Sequence, residues 1–187
     1  MSEPTSNTIN GQRFSPLVEQ VLRQAGWYPG RVVDEAQLEQ WYAFNWQAEA
    51  GYCRIFPAAL NVLREFGGLI IKQEGRGVTC HRASFSIDPL SALDIEDDNW
   101  IFDEWFLGES LFPIGWLSLN DMVAIATSGR VFSLTYGLKL WGHTFDEALE
   151  HLITGIMPVR LQVEDYERKV KDAAEVRAAV RRLYSAE

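Results

Sequence analysis

The chain has 187 residues, 47% of them hydrophobic and 23% charged, so it can bury a core of ordinary domain size and is not expected to be disordered. It has no run of about 18 apolar residues, which argues against a membrane-spanning helix. Its N-terminus has neither a basic start nor an apolar stretch, which argues against a secretory signal. These features predict a cytoplasmic protein that has no membrane partner.

The net charge of −9 comes from one window of the sequence. Between Arg82 and Arg130 there is no Lys or Arg, whereas acids and bases balance on either side. The acids of this window are Asp88, Asp94, Glu96, Asp97, Asp98, Asp103, Glu104, Glu109 and Asp121. One interpretation is a solvated face that keeps the protein soluble. The other is a recognition surface for a basic partner, because large apolar residues are interleaved with the acids.

The N-terminal third of the chain predicts three helices after a flexible segment, residues 1–12. Ser15-Pro16 is a typical helix start, and Gly26 can end that first helix. Asp34 can cap a second helix. One face of the second helix carries Leu38, Trp41, Tyr42 and Asn45. A third helix is predicted from Pro57 until Gly67-Gly68, where left-handed backbone is accessible.

The central part of the chain predicts an antiparallel meander. A short helix is expected from Asp98 to Leu107, and beyond it the apolar pattern changes from a helical period to alternation. The predicted strands are residues 111–117, 122–127, 131–134 and 138–141, which are separated by turn residues. Thr144 and Glu147 form a capping box that opens another helix. Helices, then strands, then helices predict an α+β fold rather than a doubly wound one.

The composition changes after Gly155 and Pro158. Residues 163–184 are rich in charged residues and Ala, with a thin apolar stripe at helical spacing, and predict an amphipathic helix. We therefore assign residues 13–157 to one domain and residues 158–187 to a C-terminal helical extension. Two arrangements of that helix stay open: it docks on the domain, or it pairs with a second copy and gives a homodimer.

No catalytic or metal-binding set can be assembled from the sequence, which predicts a protein that is not an enzyme and has no cofactor or metal. Cys80 and His81 are neighbours on extended chain, so they point to opposite faces. His143, Glu147 and His151 are four residues apart, but the capping box leaves His143 outside the helix and occupies Glu147. Direct binding of nucleic acid is not expected either, because an acidic protein repels phosphate.

The remaining candidate is a protein-binding surface in the acidic window. Trp100 and Trp105 lie among the acids and are predicted to be exposed anchors for a partner. The candidate partner-binding residues are Asp94, Glu96, Asp97, Asp98, Trp100, Asp103, Glu104, Trp105 and Glu109.

Several segments together resemble the SUKH-3 family of the wider SUKH superfamily. They are Arg13–Trp27 with Pro29–Arg31, Ile55–Gly68, Leu111–Gly115, Ser128–Phe132 and Thr144–Leu149, in the expected order. The resemblance implies an α+β fold and a role as a bacterial immunity protein of polymorphic toxin systems, whose toxins are frequently nucleases. It transfers no catalytic residues, because the shared motifs are best explained as determinants of the fold.

The resemblance and the charge lead to the same functional prediction. A nuclease binds phosphate with a basic cleft, so an acidic and aromatic surface can occlude that cleft and neutralise the toxin. The alternative is a non-enzymatic protein-binding or signalling scaffold of the kind known in the wider superfamily, with no toxin partner. In that case the acidic window only keeps the protein soluble.

Overall fold

The computed structural model describes residues 12–43, 46–48, 51–53, 55–92, 100–118, 120–135 and 137–161. Its α-helices are α1 (Pro16–Gln24), α2 (Glu35–Ala43), α3 (Pro57–Phe66), α4 (Trp100–Leu107) and α5 (Phe145–Thr154), with a 3-10 helix at Pro89–Ala92. Its strands are β1 (Trp46–Ala48), β2 (Gly51–Cys53), β3 (Ile70–Ile71), β4 (Phe85–Ser86), β5 (Leu111–Leu117), β6 (Asp121–Ala126), β7 (Val131–Ser133), β8 (Lys139–Gly142) and β9 (Val159–Arg160). The predicted C-terminal helix, residues 163–184, lies outside the described residues.

A seven-stranded sheet has the order β3-β4-β5-β6-β7-β8-β9, and β1 and β2 form a separate hairpin. Every neighbouring pair in the larger sheet is antiparallel. The predicted α+β class and antiparallel meander are therefore confirmed. Strand β9 was not predicted, and it extends the sheet to Arg160, beyond the expected domain end at residue 157.

Both faces of the central sheet are covered. On one face, β6 contributes Val123 and Ile125 to a large apolar cluster that includes buried residues of α1, α3 and α5. On the other face, β6 contributes Met122, Ala124 and Ala126 to a smaller cluster with residues of α4. Burial on both sides explains why this strand is a continuous apolar run rather than an alternating one.

The first of the two glycines after α3 lets helix α2 pack closely against it. A Cβ atom on Gly67 would clash with Cη2 of Trp41, a fully buried side chain. The predicted start of α3 at Pro57 and its end before Gly67 are both observed. Gly67 is thus explained by a close contact, and Gly68, which has a φ of +77°, by the need to end the helix.

The polar residues predicted at the starts of the helices differ in the hydrogen bonds that they make. Asp34 caps α2, because its Oδ1 accepts the N–H of Gln37 at 2.9 Å. Thr144 Oγ1 accepts the N–H of Glu147 at 3.2 Å, as the capping box predicts. Ser15 stands at the N-cap of α1, but its side chain makes no capping bond. Its Oγ instead donates to Oε2 of Glu150 at 2.8 Å, which ties α1 to α5.

Candidate partner-binding surface

Trp100 begins α4 and is buried, with only 2% of its surface exposed. It belongs to the apolar cluster on the second face of the sheet, together with Met122, Ala124 and Phe132. Small alanine side chains on that face leave room for a large ring above them. The expectation that Trp100 is an exposed anchor is therefore wrong, because α4 packs this side chain onto the second face of the sheet.

Asp103 and Glu104 follow on the same helix and face inward to different degrees. Asp103 is fully buried, so the expectation that it lies on a binding surface is also wrong. Glu104 is half-buried, and its Oε1 accepts the N–H of Leu111 at 2.8 Å, which joins the end of α4 to the start of β5. Burial raises the pKa of Glu104, against hydrogen bonds from Leu111 and Trp100 that lower it.

Glu109 lies in the loop between α4 and β5, and its carboxylate is occupied within the protein. It forms an ion pair with Arg130 and accepts the N–H of Ser128 at 2.9 Å. Burial opposes ionisation of Glu109, but the hydrogen bonds from Ser128 and Arg130 outweigh it and hold its pKa below the usual value. Glu109 thus fastens this loop to the β6–β7 turn.

Two further acids of the window also serve the fold. Asp88 Oδ1 accepts the indole N–H of Trp41 at 3.0 Å, which holds the 3-10 helix against α2. Asp121 is 4% exposed, and its carboxylate binds Nζ of Lys139 at 2.7 Å and the N–H of Thr135 at 3.0 Å. Much of the charge in the acidic window is therefore used inside the structure rather than displayed.

The acids that remain as candidates for display lie in one short segment. Asp94, Glu96, Asp97 and Asp98 are outside the described residues. Trp105 lies within α4, and its side chain is outside the described part as well. The segment is bounded by the 3-10 helix, which packs against β5, and by the buried Trp100.

The groups considered for catalysis are not assembled in the described part of the chain. Burial raises the pKa of the Cys80 thiol, which disfavours the reactive thiolate. His151 is within 2.6 Å of the carbonyl oxygen of Trp141 through Nδ1, and Glu147 accepts the N–H of His143 in the capping box. Among the described residues, no cluster of His, Cys, Asp and Glu is suited to hold a metal ion. None of the helices described is long and apolar enough to cross a membrane.

Comparison with known proteins gave one result that bears on function. The family model described as SUKH-3 immunity protein matches residues 14–155. The matched region runs from the residue before the N-cap of α1 to the C-cap of α5, and so includes both apolar clusters and strands β1 to β8. No curated protein and no solved structure gave a significant match.

Proposed function

The chain belongs to the SUKH-3 immunity protein family, and on this premise we propose that it binds a cognate toxin and neutralises it by covering its active-site cleft. The family match over residues 14–155 is the observation that carries the proposal. Proteins of this family are generally not enzymes, so neutralisation by binding accords with membership. The contact surface then decides which toxin is bound.

The charge of the chain points to a basic partner. A net charge of −9 on 187 residues attracts a positively charged surface over several ångströms and repels a like-charged one. A nuclease presents such a surface, because its cleft must bind phosphate. We propose that the toxin is a nuclease and that the immunity protein occupies its cleft in place of the substrate.

From the acidic window we propose four residues as contacts with the toxin: Asp94, Glu96, Asp97 and Asp98. The segment that contains them starts and ends at elements fixed to the sheet, the 3-10 helix on one side and Trp100 on the other. Glu104 and Glu109 fasten α4 and its following loop to β5 and Arg130. In this arrangement the four acids accelerate encounter with the toxin, and they make the association rate fall as salt rises.

The test begins with the full chain as bait in an extract of the bacterium that encodes it, at low and moderate salt. The expected prey is a secreted toxin with a basic C-terminal domain, whose recovery decreases as salt rises. The toxin domain is then purified, and its nuclease activity is titrated with the chain. Stoichiometric inhibition supports the proposal. Recovery of signalling proteins alone, or a toxin domain that stays active when bound, overturns it and favours the scaffold alternative.

A further inference from the structure

A tight turn before α2 is built to hold one conformation. The N–H of Arg31 donates to the carbonyl oxygen of Tyr28 at 3.0 Å, which closes a four-residue turn. Pro29 occupies its second position, and Gly30 has φ of +77° in the third. This is the residue pattern of a type II turn, in which proline sets one dihedral angle and glycine tolerates the other.

The turn is also fastened to the end of α3. The Arg31 guanidinium donates to the carbonyl oxygens of Glu65 and Gly67, the latter at 2.8 Å. On either side, the indole N–H of Trp27 donates to Glu65 Oε1 at 3.0 Å, and the N–H of Val33 donates to the carbonyl of Arg64 at 2.8 Å. The bonds to the backbone carbonyls of Arg64 and Glu65 satisfy groups that the end of a helix leaves without partners.

This well-anchored turn nevertheless presents large side chains to solvent. Tyr28 is 54% exposed and Val32 is 69% exposed. A tyrosine side chain has only two rotatable bonds and loses little conformational entropy on binding, which is one reason why tyrosine is enriched at the energetic centres of protein interfaces. The hydrogen bonds of the turn therefore position apolar surface that the fold itself does not use.

Helix α2 follows the turn in the chain and carries exposed negative charge. Glu35, Glu39 and Tyr42 are spaced by four and three residues, so they lie on one side of the helix, and all three are exposed. The adjacent side of the helix carries Leu38 and Trp41, which are buried, whereas Tyr42, expected on the same face as these two, is 45% exposed. The sequence from residue 32 to residue 53 contains no Lys or Arg. Two exposed bases lie near the turn: Arg23, which is over the Trp27 ring, and Arg64, whose carbonyl oxygen accepts from Val33.

We propose that the protein has a binding surface for a basic face of the cognate toxin. This surface, here named the turn–helix surface, consists of Tyr28, Val32, Glu35, Glu39 and Tyr42. The identity of the partner rests on the function proposed above. Acids near a helix N-terminus stabilise the helix, which accounts for Asp34 and Glu35. This helix stabilisation does not explain Glu39, which lies in the second turn of α2. It also does not explain why Tyr28, Val32 and Tyr42 are exposed. A basic partner explains the charge and the apolar side chains together.

Two matched double variants test this surface in the bacterium that encodes the protein. The test variant is Val32→Ser with Glu39→Lys; the control is Val78→Ser with Glu74→Lys, which makes the same changes at a comparably exposed valine and an exposed acid elsewhere. Each replaces the chromosomal gene, and each strain is grown in contact with the wild-type strain. Survival, protein level and thermal unfolding midpoint are measured.

The test variant is expected to lose at least tenfold in survival at unchanged protein level and unfolding midpoint, while the control survives like wild type. Tyr28→Ser alone serves as a second variant if the first proves unstable, and the same loss is expected. Full protection by a folded test variant overturns the turn–helix surface and leaves the proposed function standing. If a strain that lacks the gene survives as well as wild type, the proposed function fails, and this inference fails with it.

Discussion

The guanidinium of Arg13 binds the carboxylate of Asp146 through two hydrogen bonds, of 2.7 Å from Nε and 2.8 Å from Nη2. Its Nη1 also donates to Oε1 of Glu65 on α3 at 2.7 Å. Its Cζ lies over the rings of Phe14 and Phe66, at 5.0 and 5.3 Å from the ring centroids. One exposed side chain thus connects the segment before α1 with two helices of the same layer.

We expect Arg13→Ala to lower the free energy of unfolding by about 1–2 kcal/mol. A single exposed ion pair contributes roughly 0.2–1 kcal/mol, but this bidentate pair belongs to a network with a second acid and two rings. Arg23→Ala is the matched control, because it removes the same kind of side chain with one i,i+4 pair to Glu19 and one contact over the Trp27 ring, and so lacks the second acid and the second ring. Urea unfolding measures both variants, and equal losses would show that the network adds nothing.

We expect Trp100 to stabilise the folded protein and not to contact the toxin. Trp100→Ala should lower the free energy of unfolding by about 3–5 kcal/mol, because a buried indole is removed from the cluster under α4. Trp100→Phe should lose less and, once folded, neutralise the toxin as well as wild type. A stable Trp100→Ala protein that loses toxin affinity would contradict this and return Trp100 to the binding surface.

Glu104 and Glu109 are expected to affect the pH dependence of stability in opposite directions. The pKa of Glu104 is raised above its ordinary value of 4.5, so the folded state holds its proton more tightly, and stability falls as pH rises above that value. The pKa of Glu109 is lowered, so its contribution is present above pH 4.5 and is lost as pH falls through the folded pKa.

Glu104→Gln should therefore be more stable than wild type at pH 7, and the difference should vanish toward pH 4. Glu109→Gln should be less stable at pH 7, and that difference should shrink as pH falls below 4.5. Urea unfolding at several pH values gives both comparisons. If both variants were more stable than wild type at pH 7, or both less stable, the opposite pKa shifts of Glu104 and Glu109 would be contradicted.

The acids of the segment before α4 are expected to govern the salt dependence of toxin binding. Asp97→Lys with Asp98→Lys should slow association with the purified toxin domain by about tenfold or more at low salt, because two attractions become repulsions. The slope of the association rate against salt should become shallower. Glu74→Lys, an exposed acid outside the window, is the control and should leave the slope nearly unchanged. An unaltered slope in the double variant would exclude these acids as contacts.

Local sequence signals were sufficient wherever the structure is decided within a few residues. Thr144 and Glu147 define the start of α5, and Pro57 and Gly67 bound α3. The turn residues after Leu117, Ala126 and Ser133 separate β5 to β8, although the expected alternation is absent from β5 and β6, which are buried on both faces. Strand β9 has only two residues and was missed, since its assignment depends on pairing with β8 rather than on a pattern of its own.

Tertiary structure alone decided how the described charged and aromatic side chains of the candidate site are used. Trp100 is buried because α4 covers the second face of the sheet, and Glu109 is occupied because the chain returns to bring Arg130 beside it. Neither contact can be inferred from spacing, since each joins residues that only the fold places together. The first 82 residues contain equal numbers of acidic and basic side chains, so the sequence indicates no net charge there. In the structure, however, Arg31 is bonded to the end of α3, and Glu35 and Glu39 are exposed on α2. By itself, the sequence determined the fold class and the family resemblance, because apolar periodicity and helix ends are local. Long-range packing decided which of the described charged side chains are buried or paired within the fold.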